Sequence, residues 1–237
     1  MVLPFPIPSF LSSAFSISRC TIADVDDLAE IYYCAFQVDR RNTFWWSEDK
    51  EAMMTWMKRR IRKKMADRST RHFKVTDVQS GEMVAFTRWD IPEGHETAFG
   101  AWEEDLPANS ATPSAITPPM IDIPEGAQPE LCLEFFNALS VMSEKQNAKE
   151  MLGLSLLCTS PNYHRRGAAK AMMLPMLALA DTRGLKAYLE ATPDGKPIYE
   201  KLGFREIDQL NFDLEKLTGT FEGIYKISIM VREPKPI

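Results

Sequence analysis

No stretch of the sequence approaches the roughly 20 apolar residues that a membrane-spanning helix needs. Charge of one sign is also missing in excess. Lys and Arg total 28 against 33 Asp and Glu, a net charge of −5, which gives no bulk attraction for nucleic acid or an anionic bilayer. Neither a membrane nor a nucleic acid is expected as partner. The four cysteines, Cys20, Cys34, Cys132 and Cys158, are scattered without a CxxC pair, and His72, His95 and His164 lie far apart. Zinc-ligand spacing is therefore absent and no metal is expected. Buried, reduced thiols in a reducing compartment are the simpler reading. The first fifteen residues are apolar, but Pro4, Pro6 and Pro8 interrupt them and no basic residue precedes Arg19. They lack the charged start and unbroken apolar run of a secretion signal, so a cytoplasmic location is expected, with a nuclear one left open. Neither GxxxxGK[ST] nor GxGxxG occurs, which removes the two commonest nucleotide loops.

What remains is an ordinary globular composition, 45% hydrophobic and 26% charged over 237 residues, long enough to bury a core without staples. Residues 1–16 read as an N-terminal arm, 17–232 as one domain and 233–237 as a tail. Ile17 to Ile22 alternates like a strand, and Asp24, Asp26 and Asp27 then open a helix striped by Leu28, Ile31, Tyr32 and Phe36. A second helix is predicted over 48–66 and a hairpin over 73–89, turning at Gln79–Glu82. Residues 92–129 hold seven of the sixteen prolines and are expected to be an insertion. Pro129 suits the first turn of a helix carrying Cys132, Phe135, Phe136, Leu139 and Met142 on one side. Met151–Cys158 reads as a strand covered on both faces. It is followed by a helix over about 167–183, a strand to Glu190, a short helix ending at Leu202, and a closing strand pair, 206–214 and 223–232. The fold class is α/β, a mixed sheet with helices on both faces.

The chemistry concentrates where the strand ending at Cys158 and Thr159 meets the following helix. There the chain reads Thr159-Ser160-Pro161-Asn162-Tyr163-His164-Arg165-Arg166-Gly167-Ala168-Ala169-Lys170. The first amides of a helix have no carbonyl to bond and point outward as donors, and their partial positive charge favours an anion. Gly167, Ala168 and Ala169 let an anion approach the backbone, with Arg165, Arg166 and Lys170 beside it. This is a candidate phosphate-binding loop.

The segment His164-Arg165-Arg166-Gly167-Ala168-Ala169 resembles the [QR]xxGx[GA] signature of the GNAT superfamily of N-acetyltransferases, with His164 where that family has Gln or Arg. A second block agrees: Tyr188-Leu189-Glu190-Ala191-Thr192-Pro193 and then Ile198-Tyr199-Glu200-Lys201-Leu202-Gly203-Phe204 resemble a late strand and the [LFI]YxKxGF helix end of that family. The resemblance implies the GNAT acyl-CoA N-acyltransferase fold, with a mostly antiparallel sheet. It implies a transferase that moves the acetyl group of acetyl-CoA to an amine by direct attack, without a metal. His164 to Lys170 would then hold the pyrophosphate, and Leu157, Cys158 and Thr159 the pantetheine arm as an added strand. Tyr199 would protonate the leaving thiolate, the alternative being a tyrosine that merely closes the core beside Phe204.

Glu190 is the preferred base for the ammonium, with Glu134 and Asp90 as rivals. His164 is not expected to be catalytic. The expected acceptor is a small-molecule primary amine. The run Lys58-Arg59-Arg60-Ile61-Arg62-Lys63-Lys64 raises a protein or histone acceptor as an alternative, against a solvated helix face. A catalytically silent CoA-binding protein is the third reading. Phe44-Trp45-Trp46 either lines an acceptor pocket or packs between helices. A monomer or homodimer is expected.

Overall fold

Short local signals start the helices. Asp49 Oδ1 accepts the amides of Glu51 and Ala52 at 2.8 and 3.3 Å and so caps α2 (Lys50–Met65). Pro129 occupies the first turn of α3 (Pro129–Lys145). Asp24 accepts the Thr21 amide at 2.7 Å, drawing Ile22–Asp24 into a 3-10 turn ahead of α1 (Val25–Phe36). That turn ends β1 at Arg19 (Phe15–Arg19), three residues before the strand end expected at Ile22.

The computed structural model describes residues 3–100 and 121–236. The remaining elements are β2 (Thr70–Asp77), β3 (Met83–Asp90), β4 (Leu152–Thr159), α4 (Ala168–Thr182), β5 (Ala187–Ala191), α5 (Lys196–Lys201), β6 (Arg205–Asp213), α6 (Leu214–Thr218) and β7 (Ile224–Arg232). The short α6 between the last two strands was not expected from the sequence. Asp213 caps it at 3.2 Å from the Lys216 amide, and Gly219 closes it at φ 67°. The predicted insertion at 92–129 falls partly, at 101–120, outside the described residues. On its near side Phe99 is buried, and Arg71 donates to the carbonyls of Gly100 and Glu96 at 2.9 and 3.0 Å.

The described residues form one seven-stranded sheet in the order β1-β2-β3-β4-β5-β7-β6. Only β4 and β5 pair in parallel; the other neighbours are antiparallel. α4 and α5 cover one face, burying Met172, Met176 and Tyr199 with Phe73, Trp89 and Leu189. α1, α2 and α3 cover the other with Leu28, Met53, Trp56 and Cys132 over Phe86 and Ile229. Phe44, Trp45 and Trp46 are buried on this second face, Trp45 lying 5.1 Å from Phe135 and 5.5 Å from Trp56 between ring centroids. Core packing accounts for all three. In the arm, Phe5 is buried with its ring 5.2 Å from Phe73.

β4 departs from a simple two-faced strand. Its pairing with β3 jumps from Trp89↔Leu154 to Arg88↔Leu156, leaving Ser155 as the extra residue of a bulge. With unbroken period-two alternation Leu152, Leu154, Leu156 and Cys158 would share a face. Instead Leu152 and Leu154 pack under α4, and Leu156 and Cys158 pack under α1 and α2. β5 pairs with β4 only at Leu152, Gly153 and Leu154. Beyond the bulge, the β5-facing edge of β4 has no strand beside it.

α4 is anchored at its far end by a buried ion pair. Asp181 accepts two bonds from Arg232 of β7, both 2.7 Å, and Arg232 is only 4% exposed. Burial disfavours the Asp181 charge, but Arg232 and the Lys235 amide hold its carboxyl below the usual carboxylate range. A lowered folded-state value means the stabilisation is full above the unfolded value of about 3.9 and is lost as pH falls through the folded one. Asp181→Ala strands the guanidinium and is expected to cost about 3 kcal/mol. Urea melts at neutral pH and at acid pH check this, the variant losing less stability than the parent on acidification.

Candidate active site

The loop from β4 to α4 is built to expose amides. The 3-10 turn Pro161–Tyr163 brings the chain out of the strand. The His164 ring N–H returns to the Thr159 carbonyl at 3.2 Å, which ties the loop to the strand end. Arg165 then adopts φ 60° and Gly167 φ 90°. Left-handed residues interspersed in such a run turn successive N–H groups toward one concavity. The first bond of α4 runs from the Ala171 amide to the Gly167 carbonyl. Among the described residues no backbone acceptor meets the amides of Arg165 to Lys170, six in succession.

These amides open on a cavity of about 620 Å³ lined at this end by His164, Arg165, Gly167, Ala168, Ala169 and Lys170. It runs along β4 past Thr159 and Leu157 to Ser155, and reaches Tyr199 and Glu190 on the opposite side. Two expected residues stand outside it. Cys158 is buried on the α1 face with its thiol pushed up by burial. Arg166 stacks on Tyr163, its guanidinium carbon 4.8 Å from the ring centre. The Lys170 ammonium lies 4.9 Å from the centre of the Phe10 ring, so the arm reaches the loop.

Tyr199 is 9% exposed and packs against Phe204 with ring centroids 6.0 Å apart, while also lining the cavity. Burial, and secondarily the nearby Cys158 thiol, push its phenol up, so it holds its proton at neutral pH. Gly195 is what lets this ring lie so close. A Cβ there would sit 2.9 Å from Tyr199 Cε2.

Glu190 ends β5 between two cavities. The second, about 790 Å³, shares Leu154, Ser155 and Glu190 with the first and also contains Asp90, Gly153 and Tyr188. Burial pushes the Glu190 carboxyl up to about 7, and the Asp90 charge adds to this. A hydrogen bond from the Tyr188 hydroxyl, 2.9 Å, and the Arg88 charge pull the other way. Asp90 itself pairs with Lys64 at 3.4 Å, and Glu134 is exposed on α3 away from both cavities.

Sequence reasoning missed Ser155 and its partner. Arg88 Nε donates to Ser155 Oγ at 2.9 Å, and that hydroxyl donates to the Arg88 carbonyl at 3.3 Å, clamping the bulge. No pattern in the apolar run announces it. Three of the six cations in the basic run of α2 are in ion pairs: Lys58 with Asp26, Arg59 with Asp122, and Lys64 with Asp67 and Asp90. Among the described residues no group of three or more His, Cys, Asp or Glu side chains is placed to hold a metal ion, and no helix is long and apolar enough to cross a membrane.

Residues 138–214 match the family described as acetyltransferase (GNAT) domain. Over that segment the chain is similar to a GNAT acetyltransferase domain. No curated protein matches the sequence. Solved structures share the fold at low identity. One, described as histone acetyltransferase HPA2 and related acetyltransferase from Corynebacterium glutamicum, has a TM-score of 0.58 and 18% identity, over 94% of this chain and 98% of that one. The ribosomal-protein-S18-alanine N-acetyltransferase of Escherichia coli gives 0.53 and 15%, over 94% and 96%. The paia N-acetyltransferase of Thermoplasma acidophilum, solved in complex with coenzyme A, gives 0.50 and 11%, over 92% and 98%.

Because the Tyr188 hydroxyl favours the ionised form of Glu190, Tyr188→Phe is expected to raise the carboxyl above its value of about 7. A rise of about one unit is expected. Carbon-detected NMR titration of Glu190 reads it directly, and an unchanged or lowered midpoint refutes the assignment.

Proposed function

We propose that the protein is an acetyl-CoA-dependent N-acetyltransferase acting on a primary amine of a small molecule. One observation carries this reading: the cavity that begins at six unpartnered amides ends between a carboxyl poised near neutrality and a buried phenol. The amides of Arg165 to Lys170, with the charges of Arg165 and Lys170, suit a diphosphate. The unpaired edge of β4 from Ser155 to Thr159 suits the amides of a pantetheine arm laid beside it as a strand.

Glu190 accepts a proton from the acceptor ammonium, leaving a nitrogen lone pair. That pair forms the C–N bond at the thioester carbonyl, and backbone N–H groups at the bulge offer donors to the oxygen that gains charge. As the C–S bond breaks, sulfur leaves with the electron pair and takes the Tyr199 proton. The second N–H proton, lost as the amide forms, restores the phenol, so one proton in total passes to solvent through Glu190. The ion pairs that occupy Lys58, Arg59 and Lys64 take up half of the basic run that would favour a protein acceptor.

Calorimetry with acetyl-CoA is expected to show binding, and its absence in folded protein overturns the reading. Tyr199→Phe is expected to lower turnover about a hundredfold with cofactor affinity unchanged. kcat/KM should rise with pH along a limb centred near 7, where Glu190 loses its proton. That limb should vanish in Glu190→Gln.

A further inference from the structure

Most partly buried cations of this chain have an anion or a set of carbonyls. Arg232 has Asp181, Lys74 has Asp24, and Arg71 has four backbone carbonyls. Arg60 and Arg88 do not. Arg60 projects from α2 over the rings of Trp56 and Phe136, its guanidinium carbon 4.7 and 5.1 Å from their centres. Arg88 spends one N–H on Ser155, at 2.9 Å, and neither arginine makes an ion pair with a described carboxylate. Both are partly buried on the sheet face that α1 and α2 cover. They are near enough that the charge of Arg88 weighs on Arg60, and Arg88 also acts on Glu190. The buried side-chain nitrogens without partners are all indoles, those of Trp45, Trp46 and Trp89. The remaining guanidinium N–H groups are thus not sealed in protein.

Two like charges held together in a partly dry place repel, and a guanidinium there gains most from a planar bidentate anion. Arg88 stands opposite Leu156 in the β3–β4 register, next to the bulge and hence next to the reacting centre. Glu190, on the same face, receives a positive nitrogen. The cavity beyond it is lined by Asp90, Glu93, Glu96 and Glu150 against Lys64 and Lys149, an excess of carboxyls that favours an anion less on that side. We infer that the acceptor is a small zwitterion of the amino-acid class, its amino group at Glu190 and its carboxylate held by Arg60 and Arg88. This rests on the acetyltransferase reading above. The chemistry is unchanged: the amino nitrogen forms the new C–N bond as C–S breaks, and the carboxylate takes no part except to anchor.

The test is thiol release from acetyl-CoA with a panel of amino acids, each beside its amide and its decarboxylated amine. The free carboxylate is expected to raise kcat/KM about ten- to a hundredfold over either analogue. Arg60→Gln and Arg88→Gln are each expected to erase that preference through KM, leaving acetyl-CoA affinity intact by calorimetry. Calorimetry of the best amino acid on coenzyme A-loaded protein supplies a readout independent of turnover, and should weaken in parallel. Arg60→Gln, on α2 and away from the bulge, keeps the test alive should Arg88→Gln disturb it. Amines that equal or beat their amino acids, or an Arg60→Gln enzyme that keeps the preference, overturn the inference while leaving the acetyltransferase reading standing. Failure to bind acetyl-CoA removes both.

Discussion

The whole arrangement depends on one interrupted pairing. β4 must stay bonded to β3 along its length while releasing β5 after three residue pairs. Ser155 makes this possible, because an extra residue bends the strand and turns Leu156 and Cys158 to the opposite face. A regular sheet here would bury the edge of β4 under β5 and leave no cleft. The clamp between Arg88 and Ser155 fixes the bend at a defined place. Both cavities touch at that place and share Leu154, Ser155 and Glu190 as a wall.

Much of this was legible from the residues. Period-two and helical spacing located nearly every element, and the small residues after His164 marked the amide-rich loop. Glu190 and Tyr199 were found through flanking blocks, and the fold brings them to one cavity. Other features had no signal. Leu154 to Leu157 reads as unbroken strand whether or not it bulges, since every residue but Ser155 is apolar. Phe44, Trp45 and Trp46 were ambiguous because aromatic content alone does not say which side of a wall a ring faces. Cys158 ends the apolar run of β4 and Arg166 sits in the loop block, yet one points into the core and the other stacks on Tyr163. Which cations lack an anion is a property of three-dimensional neighbours, and Arg60 is indistinguishable in sequence from Arg59, which has one.

Charge is distributed against the average. The chain is acidic overall, yet the loop before α4 carries Arg165 and Arg166 and its own exposed amides, with Lys170 in the first turn of the helix. Carboxyls gather instead around the second cavity. A cleft with positive one end and negative the other orients whatever enters it. Burial then sets the two groups apart, raising the Glu190 carboxyl to about 7 and pushing the Tyr199 phenol up so that it keeps its proton.

α4 joins two distant points. Its fifteen residues span about 22 Å, with the amide-rich opening turn at one tip and Asp181, gripped by Arg232, near the other. Pro175 lies inside the helix and removes a bond from its ladder. β7 fixes the tail of α4 through Arg232 while its Ile229 stands opposite Glu190 in the sheet, so a single strand holds both the helix behind the amide-rich turn and the carboxyl that lines the cavity.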